Sequence, residues 1–70
     1  MTKAEPEIRL DQFLKLMGLV HSGGEAKHRI QGGEVQLNGA VETHRSKKLH
    51  PGDRVTLGDR TVIVPEGDRP

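Results

Sequence analysis

Cysteine, tryptophan and tyrosine are absent from this 70-residue chain, and phenylalanine occurs once, at position 13. Without cysteine there is neither a disulfide framework nor a thiolate zinc site to brace the fold, which suits a reducing compartment. No apolar run approaches the roughly 20 residues needed to cross a bilayer. The opening MTKAEPEIRL also lacks the apolar centre of a secretory leader. A soluble, cytoplasmic protein with no membrane partner is therefore expected. Excess charge of one sign is scarce too: 11 Lys and Arg face 10 Asp and Glu, a net +1 that names no partner. The histidines at 21, 28, 44 and 50 are spread over different segments without i, i+4 pairing, so no metal site and no cofactor is expected. No paired carboxylates or Ser-His-acid arrangement is evident, and Asp53 and Asp59 fall where turns prefer an acid. An enzyme is not expected.

What the chain does have is an uneven distribution of charge. Residues 1–26 carry a net −1, residues 27–50 a net +3 and residues 51–70 a net −1, and His28, His44 and His50 add to the middle third below neutral pH. A basic patch of this kind is a possible footprint for nucleic acid. The chain is long enough for one small domain, which buries only about 60% of its unfolded surface.

Along the chain, LDQFLKLMG spaces Leu10, Phe13, Leu14, Leu16 and Met17 as a short helix, with Asp11 as N-cap and Gly18 as stop. The lone Phe13 reads as a core anchor. Ser22 with Glu25 fits a capping box opening a second helix, in which Ala26 and Ile30 face inward. Lys27 and Gln31 share one flank, and Glu25 and Arg29 the other. Gly32-Gly33 ends it. The period then becomes two: Val35 and Leu37 alternate with polar residues, Asn38-Gly39 makes a hairpin turn, and Val41 lies on the return strand. THRSKK reads as a polar loop, HPGD as a turn, and RVTLGDRTVIV as a hairpin around Gly58-Asp59. The expected fold is α+β, two short N-terminal helices packed on a small antiparallel sheet. One domain over 8–64 is expected, with 1–7 and 65–70 as flexible tails.

Candidate binding residues follow from this layout. The start of the second helix offers unpaired N–H groups and a positive dipole end to a phosphate. Ser22 and Gly23 stand there, and Gly23-Gly24 leaves room for a ribose-phosphate chain. Lys27 and Gln31 lie one turn apart on one flank, and Arg45, Lys47 and Lys48 occupy the loop after the first hairpin. Each has an ordinary alternative as a cap or a solvated face. Their combination favours nucleic acid.

The stretch RLDQFLKLMGLVHSGGEAKHRIQGGEVQLNGAVE resembles the RNA-binding domain of ribosomal protein S-four type, the αL motif. Its Arg-Leu-Asp opening is matched by Arg9, Leu10 and Asp11. The Ser that opens helix two is matched by Ser22, and the Ala-Lys pair by Ala26 and Lys27. Ile30, Gly33, Val35, Asn38 and Gly39 match the rest of the signature. The continuation ETHRSKKLHPGD is similar to a stand-alone bacterial subgroup. Two positions differ: Gly23 replaces a frequent arginine, and Arg29 replaces a frequent leucine. The resemblance implies non-catalytic binding of structured RNA, ribosomal or transfer RNA, alone or within a ribonucleoprotein. It adds Arg9, Asp11, Asn38 and Gly39 to the candidate contacts. With no Trp or Tyr and a single Phe, recognition is expected through shape and phosphates rather than base stacking. The rival reading is a small module that docks on a ribosomal or assembly protein through a sheet edge. The residues do not specify an oligomeric state.

Overall fold

The computed structural model describes residues 8–65; the expected tail 1–7, and the expected tail 65–70 apart from Pro65, lie outside the described residues. Helix α1 spans Leu10–Leu16 and helix α2 spans Gly23–Gln31. Arg9, extended at φ −90° and ψ 161°, is the N-cap of α1, so Asp11 is not the cap that its residue type suggests. The reason is tertiary. The N–H groups of Leu10 and Asp11, orphans in an isolated helix, donate to the carbonyls of Lys47 (2.9 Å) and Arg45 (3.1 Å). The Gln12 N–H donates to Asp11 Oδ1 at 2.8 Å.

At its other end α1 closes on Gly18, whose φ of 76° only glycine adopts freely. The N–H of Gly18 reaches the Lys15 carbonyl (3.1 Å) and that of Leu19 the Leu14 carbonyl (2.9 Å), the pairing of a Schellman motif. Leu10, Phe13 and Leu14 are buried, but Leu16 is 70% exposed, against the expectation that it joins the inward stripe. At 100° per residue it sits about 110° from the centre of the face formed by Leu10, Phe13, Leu14 and Met17, on the flank of Gln12 and Lys15.

Helix α2 begins as expected: Ser22 Oγ accepts the Glu25 N–H at 3.1 Å. The Glu25 carboxylate, however, accepts from the His21 N–H (2.8 Å) and not from Ser22, one residue beyond the capping box. Gly33, at φ 80°, closes α2 with a second Schellman pairing, Gly33 to Ile30 and Glu34 to Arg29.

The strands form two sheets. In the larger, β2 (Val35–Leu37), β3 (Ala40–Val41), β5 (Arg54–Leu57) and β6 (Arg60–Ile63) are antiparallel in the order β3-β2-β5-β6. Asn38 and Gly39, with φ of 53° and 88°, make the first hairpin turn, the double positive φ of type I′. Register places Val35, Leu57, Leu37 and Val55 on the inner face, where they meet Phe13, Ala26 and Ile30 in one apolar core with Leu49 and Val64. The second sheet corrects the sequence reading. Lys48–Leu49, the end of the expected polar loop and the residue after it, is a strand, β4, paired antiparallel with β1 (Ile8–Arg9) in the register Ile8↔Leu49 and Arg9↔Lys48. Two-residue strands carry no readable alternation, and the partner lies some 40 positions away.

Candidate nucleic-acid interface

The segment between β3 and β4 is pinned to the entry of α1 by its own backbone, through the Lys47 and Arg45 carbonyls described above. That pinning gathers five of the candidate residues. Asp11, 7% exposed, is the one buried polar or charged residue among the described residues. Its Oδ1 meets Arg9 Nε at 3.3 Å and its Oδ2 meets Arg45 Nε at 3.4 Å. Both arginine side chains are nearly half exposed, at 46% and 45%. Lys48 lies across the β1–β4 pair from Arg9, and Lys47 is exposed beside it.

Four candidates lie along α2. Ser22, Gly23, Lys27 and Gln31 are all exposed. A Cβ built on Gly23 meets nothing within 4 Å, so the first turn of α2 is open to a chain running past it. The Ser22 oxygen already accepts the Glu25 N–H, which leaves its hydroxyl hydrogen to donate. Arg29 does not lie with these. It binds Glu34 at 2.8 Å and Glu25 at 3.4 Å, which explains how arginine fits where the resemblance has leucine. Glu34 raises the Arg29 pKa above its ordinary value, and the His21 backbone N–H holds Glu25 below the usual carboxylate range with help from Arg29.

Asn38 and Gly39 form a third group, at the tip of the β2–β3 hairpin. The Asn38 side chain is committed on both sides: Nδ2 donates to Asp53 Oδ1 (3.2 Å), and Oδ1 accepts the Arg54 N–H (2.9 Å). It clasps the hairpin to the start of β5. Asp53 also accepts the His50 N–H at 2.8 Å, and that bond, with Asn38, pulls its pKa below the ordinary value. A parallel pair lies earlier in the segment, where His44 Nδ1 meets Glu42 Oε2 at 3.0 Å and keeps the Glu42 carboxyl below its ordinary range. Two histidines thus flank the cationic segment, each beside a carboxylate.

The Asp11 link between Arg9 and Arg45 and the β1–β4 pairing that seats Lys48 opposite Arg9 escape sequence reasoning. Thirty-four positions separate Asp11 from Arg45, and no single-chain periodicity spans that distance. Among the described residues, no group of three His, Cys, Asp or Glu side chains is placed to hold a metal ion. No helix among them is long and apolar enough to cross a membrane.

Against this geometry stand the similarities to known proteins. A family model described as the S4 domain matches residues 2–65. The chain is 39% identical over 59 residues to an Escherichia coli (strain K12) protein named "Putative RNA-binding protein YbcJ", covering 84% of each chain. It is 42% identical over 50 residues to a Bacillus subtilis (strain 168) protein named "Probable ribosome maturation protein RlbA", covering 71% of this chain and 70% of the other. Among solved structures, trimeric Heat Shock Protein 15 of Vibrio cholerae superposes with a TM-score of 0.77 at 27% identity, over 90% of this chain and 67% of that one. Its likeness agrees with the α+β architecture read from the sequence.

Proposed function

Because the chain belongs to the S4 domain family, we propose that it binds structured RNA, as a non-catalytic cytoplasmic module, through phosphate and shape contacts. The observation that carries this reading is the gathering of Arg9, Arg45, Lys47 and Lys48 around the entry of α1, from segments far apart in sequence. Cations so gathered give a folded polynucleotide several phosphate contacts at once. The open first turn of α2, with Ser22, Gly23 and Lys27, supplies a second contact region, and Gln31 continues it one turn on. Asn38 and Gly39 contribute by shaping the hairpin rather than by offering free amide groups.

Recognition of stacked single-stranded bases is disfavoured. Phe13, the lone residue among Phe, Tyr and Trp, is 1% exposed, so no large aromatic platform faces solvent. Ribosomal RNA is favoured over transfer RNA because the Bacillus relative carries ribosome maturation in its name. The test is a mobility-shift titration with a labelled bulged RNA hairpin from about 50 to 300 mM salt, the range over which counterion release changes affinity steeply. Log affinity is expected to fall linearly with log salt, by about 0.7–0.9 per phosphate engaged. A variant with Lys27, Arg45, Lys47 and Lys48 all changed to alanine is expected to bind weakly and with a shallow slope. Equal binding by that variant, or a flat salt response of the wild type, argues for docking on a protein.

A further inference from the structure

We propose that Asp11 is a positioning residue, which holds Arg9 and Arg45 on the two oxygens of one buried carboxylate so that both guanidinium ends receive phosphates of the same RNA backbone. The inference rests on the RNA-binding reading and deepens it. Asp11 faces inward with an 8% exposed side chain, and each arginine approaches it through Nε. A guanidinium is a rigid plane with five N–H groups. When its Nε edge is turned to a carboxylate, the edge between the two terminal Nη groups is left for a second acceptor, and both side chains are nearly half exposed. Planar Nη pairs of this kind bind phosphate oxygens two at a time.

The carboxylate does a second thing. Without it, two like charges from separate segments would repel, and two long side chains would have to be ordered when RNA arrives, at a cost in binding. The backbone bonds from Leu10 and Asp11 to the Lys47 and Arg45 carbonyls fix the main chains; the Asp11 side chain fixes the forks. Simple charge counting gives the opposite expectation, since removing an acid beside two arginines makes the protein more attractive to RNA. The two accounts therefore differ in sign.

The deciding experiment compares wild type with Asp11→Asn on the bulged hairpin across the salt range. Asparagine retains an oxygen for the Gln12 N–H and leaves the backbone bonds in place. Affinity is expected to fall about tenfold or more, as for loss of hydrogen bonds to charged groups, and the salt slope to drop by up to two phosphates' worth, about 1.4–1.8. In an Arg9→Ala/Arg45→Ala background the same change should add nothing, because its effect runs through those side chains. Should Asp11→Asn fail to fold, Arg9→Lys/Arg45→Lys tests the same point at unchanged net charge. One ammonium cannot span the carboxylate and a phosphate pair as the fork does, so binding should again weaken. Unchanged or tighter binding by a folded Asp11→Asn, or by the double lysine variant, overturns the positioning role while leaving RNA binding intact. A wild type that ignores the hairpin overturns both.

Discussion

Phe13 and Asp11 sit two positions apart on α1 and are both almost wholly buried, yet they stabilise the domain by different physics. Phe13, 1% exposed, fills the centre of a core built from few large side chains. Its change to alanine should cost about 3–5 kcal/mol, the usual loss when a buried aromatic leaves a cavity. For a chain of this size that is a large part of the about 5–15 kcal/mol available to small domains. Urea unfolding followed by circular dichroism should show little or no folded baseline for Phe13→Ala at 37 °C. Asp11 is a buried charge with partners on both oxygens, and burial of that kind persists only when it is paired. Composition and spacing identify Phe13 as a core residue at once. Nothing in them shows that Asp11 is buried, because its partner Arg45 arrives from a distant segment.

At the level of single elements, α2 is the piece whose sequence and structure agree most closely. Its Ser22 cap, inward Ala26 and Ile30, and glycine stop all appear where the residue types put them. Loss of the cap in Ser22→Ala should lower stability by about 0.5–2 kcal/mol, read as a lower urea midpoint at constant slope. Gly23 lends itself to a gain. With nothing within 4 Å of a Cβ there and no positive φ, Gly23→Arg fits without strain and replaces a poor helix former. It should bind the bulged hairpin more tightly and raise the salt slope by about 0.7–0.9, one further phosphate, with the melting temperature kept or raised. Helix α1 is the contrasting case. Its length and apolar stripe are legible, but its start depends on the Arg45 and Lys47 carbonyls, so Asp11, with its strong capping preference, ends up two positions past the N-cap Arg9.

For the molecule as a whole, electrostatics couples stability to pH. Glu25, Glu42 and Asp53 all have their pKa held below the ordinary value by hydrogen bonds from His21, His44 and His50. The unfolded chain, with carboxyl values of about 3.9 for Asp and 4.3 for Glu, then binds protons more readily than the folded one. Stability from these groups is complete above the unfolded values and is lost as pH falls through the lower folded ones. The melting temperature should therefore decline progressively as pH is lowered below about 4, and Asp53→Asn should soften that decline. A melting temperature that does not move between pH 5 and 3 would count against these contacts.

Taken alone, the sequence determined what neighbouring residues can decide among themselves: two helices with their stops, an Asn-Gly hairpin, a second hairpin around Gly58, and a core that includes Phe13, Ile30 and Val35. Each rests on interactions within about a turn of helix or across a tight turn, so periodicity and capping preference suffice. Only the tertiary structure decided that Lys48 and Leu49 form a strand against Ile8 and Arg9, and that Asp11 joins Arg9 to Arg45. Those outcomes depend on which segments meet after the chain has folded back on itself, and pairings between remote positions leave no periodic trace in the segments that make them.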